Sequence, residues 1–234
     1  MKLNRERLED SLVHLRELAP ARVETHEIVQ EVVDTAHRLF GLSGAALMVV
    51  DASQALRTVA ATDSRGELLE RAQLEVGEGP CIECFVYDRP VPTTDLHDDK
   101  RYPRLARMLE GEDIHGLLGV PVRLGDGPVG SLNVYVTQAH NWTEEDVTAL
   151  EDYSRILRAL LSASLAAERN DALAQQLQYA LDYRIVIERG IGYLMARDGT
   201  DAVTAFNLLR NSARKSRRRV GDLAADLLAG RPLP

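Results

Sequence analysis

Two cysteines three positions apart are the residues of this chain best suited to chemistry. Cys81 and Cys84 are its only cysteines, and a C-x-x-C pair can form a redox couple or supply half of a zinc site. Zinc would need two further ligands, for which His97 and His115 are candidates, but neither lies in a recognisable ligand pair. The spacing favours two structural thiols buried on a core helix, so we expect neither a metal site nor redox activity.

Other candidate catalytic groups lie in an acidic loop and a glycine-rich turn. The carboxylates and imidazole used in acid–base catalysis occur together at Asp95, His97, Asp98 and Asp99. Their polar surroundings are more typical of a solvated connection. The Gly77-Glu78-Gly79 turn lacks the Lys and Ser or Thr of a phosphate-binding loop. We therefore predict that the chain is not an enzyme and has no catalytic residue.

Charge is distributed unevenly along the chain. Residues 184–234 contain ten Lys or Arg against five Asp or Glu, although the whole chain carries a net charge of −8. The first 183 residues therefore carry −13. This asymmetry suggests a tail that binds polyanions on a body that repels them. From charge alone, the alternative is that residues 215–219 form a solvated helix edge.

Three short helices are predicted around this basic interval. Apolar residues recur at helical spacing from Leu177 to Leu194, and Asp198-Gly199 ends that helix. Thr200 is the expected N-cap of the next helix, followed by a third apolar stripe from Val220 to Leu228. Each helix would be marginal alone, so we expect the three to share a small core.

The stretch from Tyr183 to Leu228 resembles the ANTAR domain, a three-helix RNA-binding module of bacterial antitermination regulators. The resemblance rests on the run from Arg184 to Met195, on Ala205-Phe206, Leu209-Arg210 and Ala213, and on Leu223-Ala224. Gly190 and Ile191 stand where family members usually carry Ala and Lys. The resemblance and the charge together imply the following RNA-binding residues: Arg184, Arg189, Gly190, Gly192, Ala205, Arg210, Arg214, Lys215, Arg217, Arg218 and Arg219.

The preceding sequence predicts a sheet with helices on one side. Residues 45–50 and 56–61 read as a hairpin, and Pro80 suits the first turn of a helix. Residues 116–124 and 129–136 read as two more strands around the Gly125-Asp126-Gly127 turn. The near-alternation of the last strand predicts that it is half buried.

A second resemblance covers roughly residues 20–165. This part of the chain is similar to the GAF domain, a sensor module. The resemblance rests on Gly77-Glu78-Gly79-Pro80-Cys81, on Arg101-Tyr102-Pro103 and on the two strands that contain Gly119 and Gly130. The fold expected is therefore α+β: a GAF-like antiparallel sheet with flanking helices, a long connecting coiled-coil helix and a C-terminal three-helix ANTAR bundle. Many GAF domains bind a small molecule, so a ligand of unknown identity is an open expectation.

The connecting helix carries a heptad-like seam. It is predicted to begin after Trp142, with Thr143 as N-cap and Asp146 three residues later. A seam exposed on one copy would be covered by a second copy, so we predict a homodimer. The residues expected in that interface are Leu150, Tyr153, Leu157, Leu160, Leu173 and Leu177. The seam weakens from Glu168 to Asp171, where a bend or switch is expected.

The domain boundaries expected are an N-terminal helix at 1–19, a sensor at 20–165, a connecting helix at 144–182 and an ANTAR domain at 173–230. The chain shows no membrane-spanning run or signal peptide, and its few cysteines suit a reducing compartment, so a cytoplasmic location is expected. The function expected is signal-responsive transcription antitermination, in which paired hairpins of a nascent leader RNA are bound so that a terminator does not form. The alternative is a ligand-sensing dimer that signals through protein contacts without binding RNA.

Overall fold

The computed structural model describes residues 25–50, 56–124, 127–167 and 172–234. Five strands form one antiparallel sheet in the order β2-β1-β5-β4-β3. The strands are β1 (Gly44–Val50), β2 (Leu56–Ala61), β3 (Val91–Thr93), β4 (Gly116–Leu124) and β5 (Gly127–Val136). The predicted hairpin of β1 and β2 is confirmed, as is the antiparallel pairing of β4 with β5. The N-terminal helix predicted at 1–19 lies outside the described residues.

Helices precede, interrupt and follow the sheet. Those of the N-terminal part are α1 (Thr25–Phe40), α2 (Ser64–Val76), α3 (Pro80–Tyr87) and α4 (Pro103–Met108). The remaining described helices are α5 (Glu144–Ala167), α6 (Ala172–Asp198), α7 (Ala202–Ser216) and α8 (Val220–Leu228). None of the described helices is long and apolar enough to cross a bilayer.

Helices cover both faces of the sheet, so the prediction of helices on one side only is wrong. The Leu118–Val134 pair of β4 and β5 belongs to a core cluster that includes α1 and α5. The adjacent pair Leu117–Tyr135 belongs to a second cluster with α2 and α4. Successive strand residues face opposite sides. For the same reason β5 is not half buried: nine of its ten residues are buried.

The start of α5 has the predicted capping arrangement. The Asp146 backbone N–H donates to Thr143 Oγ1 at 3.2 Å, and the Thr143 backbone N–H donates to Asp146 Oδ2 at 3.0 Å. Each side chain thus satisfies a backbone donor of the other residue. The Tyr153 hydroxyl then donates to the Val32 carbonyl oxygen at 2.7 Å, which fixes α5 against α1.

Three of the residues predicted to form the dimer seam pack inside their own chain. Leu150, Tyr153 and Leu157 are buried in the sheet core of their own chain. Their place in an interface between copies is therefore corrected: the apolar stripe is covered by α1 and the sheet. The side chains of Leu160, Leu173 and Leu177, and the predicted weak point at residues 168–171, lie outside the described set.

Candidate nucleic-acid interface

The C-terminal helices form a core of their own. Ile187 and Leu194 of α6 meet buried residues of the two helices that follow it: Ala205, Leu209, Ala213, Val220, Leu223, Ala224 and Leu227. Gly199 has a φ of 65°, so the expected end of α6 is confirmed. The N-cap of α7 is Asp201 rather than Thr200: the Thr204 backbone N–H donates to Asp201 Oδ1 at 2.9 Å. A carboxylate placed there also suits the positive end of the helix dipole.

Two of the small residues predicted to approach RNA are core residues instead. Ala205 is fully buried, and Gly190 is buried against α8. A Cβ at position 190 would lie 3.0 Å from the Cβ of Ala224, so this glycine allows α6 and α8 to pack closely. The departure from the usual Ala at this position therefore has a packing reason. Gly192, in contrast, is exposed with open space around it.

Arg184 lies against the sensor sheet rather than facing solvent. Its guanidinium covers Gly127 at the start of β5, where any added Cβ would collide with it. It also makes an ion pair of 2.6 Å with Glu188. Its prediction as an RNA contact is corrected on this ground. Arg189, five residues further along α6, is exposed.

The basic interval at the junction of α7 and α8 is exposed. Arg214, Lys215, Arg217, Arg218 and Arg219 all face solvent. Arg218 makes an ion pair of 2.7 Å with Asp226, and Arg219 occupies the N-cap position of α8. The end of α7 and the turn into α8 therefore carry five exposed cations within six residues, and exposed cations are the groups that contact phosphate backbones.

Helix α7 docks on the sensor through three side chains. Phe206 is fully buried, with its ring centroid 5.6 Å from that of Phe85. Asn207 Nδ2 donates to the Gly77 carbonyl oxygen at 2.7 Å. The Arg210 guanidinium donates to the Leu74 carbonyl oxygen, also at 2.7 Å. The two parts of the chain therefore share an interface, to which α7 contributes this aromatic contact and two hydrogen bonds.

Arg210 is consequently a docking residue in this structure, which corrects its prediction as an RNA contact. Its partner, the Leu74 carbonyl oxygen, lies in the last turn of α2, where helix carbonyl groups lack intrahelical partners. A guanidinium is favoured there by hydrogen bonding and by the negative end of the helix dipole. Sequence reasoning missed this contact because the arginine belongs to the same helical row as the basic interval.

The cysteine pair belongs to a buried polar cluster on the same side of the sensor. The Cys81 backbone N–H donates to Gln73 Oε1 at 2.9 Å, and Gln73 Nε2 donates to Glu70 Oε2 at 3.1 Å. Burial is the main cause that raises the pKa of Cys81 and Cys84 above the ordinary thiol range. Both thiols are therefore held neutral, which disfavours nucleophilic or metal-binding chemistry.

Burial also raises the pKa of Glu70 to about 8, although its interactions with Cys81 and Asn133 act in the opposite direction. Glu70 Oε1 and Asn133 Oδ1 are buried with no hydrogen-bond partner in the described part of the chain. A protonated carboxyl adds an O–H donor to this cluster, which suits a neutral Glu70.

The acidic loop is tied together by its own hydrogen bonds. His115 Nδ1 lies 3.1 Å from Asp95 Oδ1, and Asp99 makes an ion pair of 2.6 Å with Arg101. The Asp95 carboxylate also accepts from the His97 backbone N–H at 3.1 Å. Within the described ranges, no group of three or more His, Cys, Asp or Glu residues is placed to hold a metal ion.

A sensor-type sheet domain followed by a three-helix domain with a basic turn defines a class of regulatory protein. The chain belongs to the GAF domain family, whose model matches residues 23–161. The ANTAR domain model matches residues 175–228, so the chain has the GAF–ANTAR architecture. A GAF domain implies a sensor, and an ANTAR domain implies RNA-binding antitermination regulation.

Solved structures with the same fold cover the sensor part. One is the GAF domain of a phosphoenolpyruvate-protein phosphotransferase from Coxiella burnetii, with 19% identity and a TM-score of 0.55, covering 70% of this chain and 98% of its own. The free methionine-R-sulfoxide reductase of Neisseria meningitidis, solved with its substrate, has 14% identity and a TM-score of 0.53, covering 68% and 91%. The corresponding Acinetobacter phosphotransferase domain has 16% identity and a TM-score of 0.52, covering 69% and 96%. No curated protein matches the chain.

Proposed function

We propose that this protein is a signal-responsive transcription antitermination regulator that binds paired hairpins in nascent leader RNA and prevents terminator formation. The observation that carries the proposal is the exposed basic turn of an ANTAR domain, where Arg214, Lys215 and Arg217 face solvent together. Hairpin loops present unstacked bases and close phosphates, which arginine side chains can contact. The RNA surface proposed consists of Arg189, Gly192, Arg214, Lys215, Arg217, Arg218 and Arg219.

The sensor controls this surface through the docked helix α7. Asn207 and Arg210 hold α7 on the carbonyl groups of Gly77 and Leu74, and the basic turn begins four residues after Arg210. A change in the sensor that displaces the end of α2 therefore changes how the basic turn is presented. The same fold supports an enzyme in Neisseria meningitidis, but Cys81 and Cys84 of this chain are buried with raised pKa, which favours a regulatory role.

The proposal includes a cytoplasmic homodimer. Leu160, Leu173 and Leu177 remain the residues proposed for its interface, because Leu150, Tyr153 and Leu157 are occupied within one chain. Two copies would present two basic turns, which suits an RNA target with two hairpins, since linked contacts reinforce each other.

The test is binding of a two-hairpin leader RNA by the full chain. We expect Arg214→Gln with Lys215→Gln to weaken binding and to reduce the slope of log affinity against log salt by about 0.7–0.9 per lost contact, measured from roughly 50 to 200 mM salt. Arg107→Gln is the matched control, since it removes an exposed cation from α4, outside the basic turn.

Circular dichroism checks that each variant is folded. An unstructured RNA of equal length tests whether hairpins are preferred. If the wild type does not bind the two-hairpin RNA, the RNA function is rejected. If Arg107→Gln weakens binding as much as the Arg214→Gln, Lys215→Gln variant does, the basic turn is not the RNA surface. A sensing dimer that acts through protein contacts would then be the better account of the basic turn.

A further inference from the structure

An open cleft lies between the sensor and the C-terminal helices beside the docked contact. Its volume is about 980 Å³. On the sensor side it is lined by Arg57 of β2 and by Arg71 and Glu75 of α2. The opposite wall, from the turn of α7 and α8, contributes Arg210, Arg214, Arg217, Arg218 and Arg219. Among the described residues that line the cleft, seven arginines thus face a single carboxylate.

The like charges in this cleft interact with one another. Burial is the largest cause of the lowered pKa of Arg210; the charges of Arg214 and Arg57 lower it further, whereas Cys81 acts in the opposite direction. Arg57 belongs to the sensor and Arg214 to the RNA-binding domain, so docking brings one cation from each domain close to Arg210. An anion bound between the two domains would be attracted by all three cations.

The backbone at Arg217 supports a role for this wall in binding. Arg217 ends α7 with φ 53° and ψ 37°, in the left-handed region. Helices commonly place Gly at this position, since a side chain is strained there. Retaining an arginine at a strained position that lines the cleft is typical of a residue kept for binding rather than for stability.

The size and chemistry of the cleft fit a small ligand with several phosphates. Sites for small molecules have volumes of roughly 300–1,000 Å³ and occur preferentially between domains. Guanidinium groups bind phosphate oxygens through two parallel hydrogen bonds, and several convergent arginines suit adjacent phosphates. Leu74, whose side chain is partly exposed, also lines the cleft, so a ligand has a small apolar surface to contact besides the arginines.

We propose that this cleft binds a small polyphosphorylated molecule, of the nucleoside di- or triphosphate class, which bridges Arg57 and Arg71 of the sensor to Arg214 and Arg217 of the RNA-binding domain. The bound molecule neutralises the facing cations and holds α7 in its docked position. It occupies arginines of the proposed RNA surface, so it competes with RNA. The inference concerns binding of the small ligand itself and stands or falls independently of the RNA function.

The probe is inorganic tripolyphosphate, titrated calorimetrically into the full chain without RNA, with sulfate at equal ionic strength as the control for general screening. We expect one tripolyphosphate per chain and a rise in the melting temperature, because a ligand of the folded state stabilises it. Arg57→Gln with Arg71→Gln should weaken binding at least about tenfold, as should Arg214→Gln with Arg217→Gln, since each pair removes charge-assisted hydrogen bonds from one wall.

Arg107→Gln is again the matched control and should bind as the wild type does. Arg57→Lys with Arg71→Lys keeps the two positive charges but removes the planar guanidinium groups, so this variant should bind tripolyphosphate more weakly than the wild type does. It replaces the Gln pair if that variant does not fold. Circular dichroism monitors folding.

Three results would overturn the proposal. The first is an absence of tripolyphosphate binding above that of sulfate. The second is binding that depends on Arg214 and Arg217 but is unchanged when Arg57 and Arg71 are replaced, since the site would then lie on the RNA-binding helices alone. The third is that replacing Arg57 and Arg71 abolishes binding of the two-hairpin RNA but leaves tripolyphosphate binding intact. The occupant of the cleft would then be the RNA backbone.

Discussion

Replacing Glu70 with Gln should change the pH dependence of stability. Glu70 is fully buried, and burial raises the pKa of its carboxyl from the ordinary 4.5 to about 8. Because the folded state holds this proton more tightly than the unfolded state, Glu70 carries no ionisation penalty below about pH 4.5. As the pH rises towards 8, the unfolded state loses the proton first and the wild type loses stability.

The size of the effect follows from the two pKa values. At about 1.4 kcal/mol per pH unit, the interval from 4.5 to about 8 corresponds to an upper bound of roughly 5 kcal/mol. Gln cannot ionise and nearly matches the shape of a protonated Glu. We therefore expect Glu70→Gln and the wild type to have similar free energies of unfolding near pH 5, and the variant to be more stable by several kcal/mol near pH 8.5.

Urea denaturation at several pH values measures this difference directly. Glu67→Gln is the matched control, because Glu67 lies on the same helix but is exposed. Its free energy of unfolding is measured beside that of the wild type at the same pH values. If the unfolding free energies of Glu70→Gln and the wild type stay parallel from about pH 5 to 8.5, Glu70 is ionised in the folded protein and the reasoning from its burial fails.

Three further variants test separate features. Arg217→Gly should raise the free energy of unfolding by about 0.5–1 kcal/mol, because glycine relieves the left-handed φ of 53° at some entropic cost, and it should lower the affinity for RNA and for tripolyphosphate. Urea denaturation measures the stability and calorimetry measures the affinity. Unchanged affinity would show that Arg217 belongs to neither binding site. Phe206→Ala should lower the free energy of unfolding by about 3–5 kcal/mol through loss of the contact with Phe85; a loss below about 1 kcal/mol in urea would contradict the docked interface. Replacing Cys81 and Cys84 with Ala should leave RNA binding equal in oxidising and reducing buffer, whereas a redox dependence of the wild type that the variant lacks would show that these thiols are functional.

Local signals in the sequence determined much of the fold. Pro80 opens α3 as predicted, since its missing N–H costs nothing in the first turn. The capping pair at Thr143 and Asp146 correctly marked the start of α5. These elements were predictable because the residues that specify them are a few positions apart.

Helix α2 was missed because its burial does not follow a simple apolar stripe. Glu70 and Gln73 are buried with Leu69 and Ala72, so polar residues interrupt the periodicity that identifies an amphipathic helix. One local signal was present: Asp63 caps the helix by accepting from the Gly66 backbone N–H at 2.8 Å. A buried polar cluster depends on partners distant in sequence, such as Asn133, which periodicity cannot identify.

The roles of the C-terminal arginines were the least predictable part. Arg210 and Arg214 are one helical turn apart and were assigned to one RNA surface on that basis. The structure gives them different contacts: Arg210 donates to the Leu74 carbonyl oxygen, whereas Arg214 is exposed. Helical spacing shows that two side chains share a row but gives no information on which neighbouring domain covers part of it.

The docking contact is a direct physical link between the sensor domain and the helix that leads into the basic turn. Asn207 and Arg210 bind the last carbonyl groups of α2, and Gly77, with φ 71°, brings its backbone within reach of Asn207. These carbonyl groups would otherwise need water or another donor. A shift of α2 by one helical turn, about 5.4 Å, would break both hydrogen bonds at once. The end of one sensor helix therefore couples the buried Glu70 cluster, four residues before Leu74, to the arrangement of cations that RNA or a phosphorylated ligand would meet.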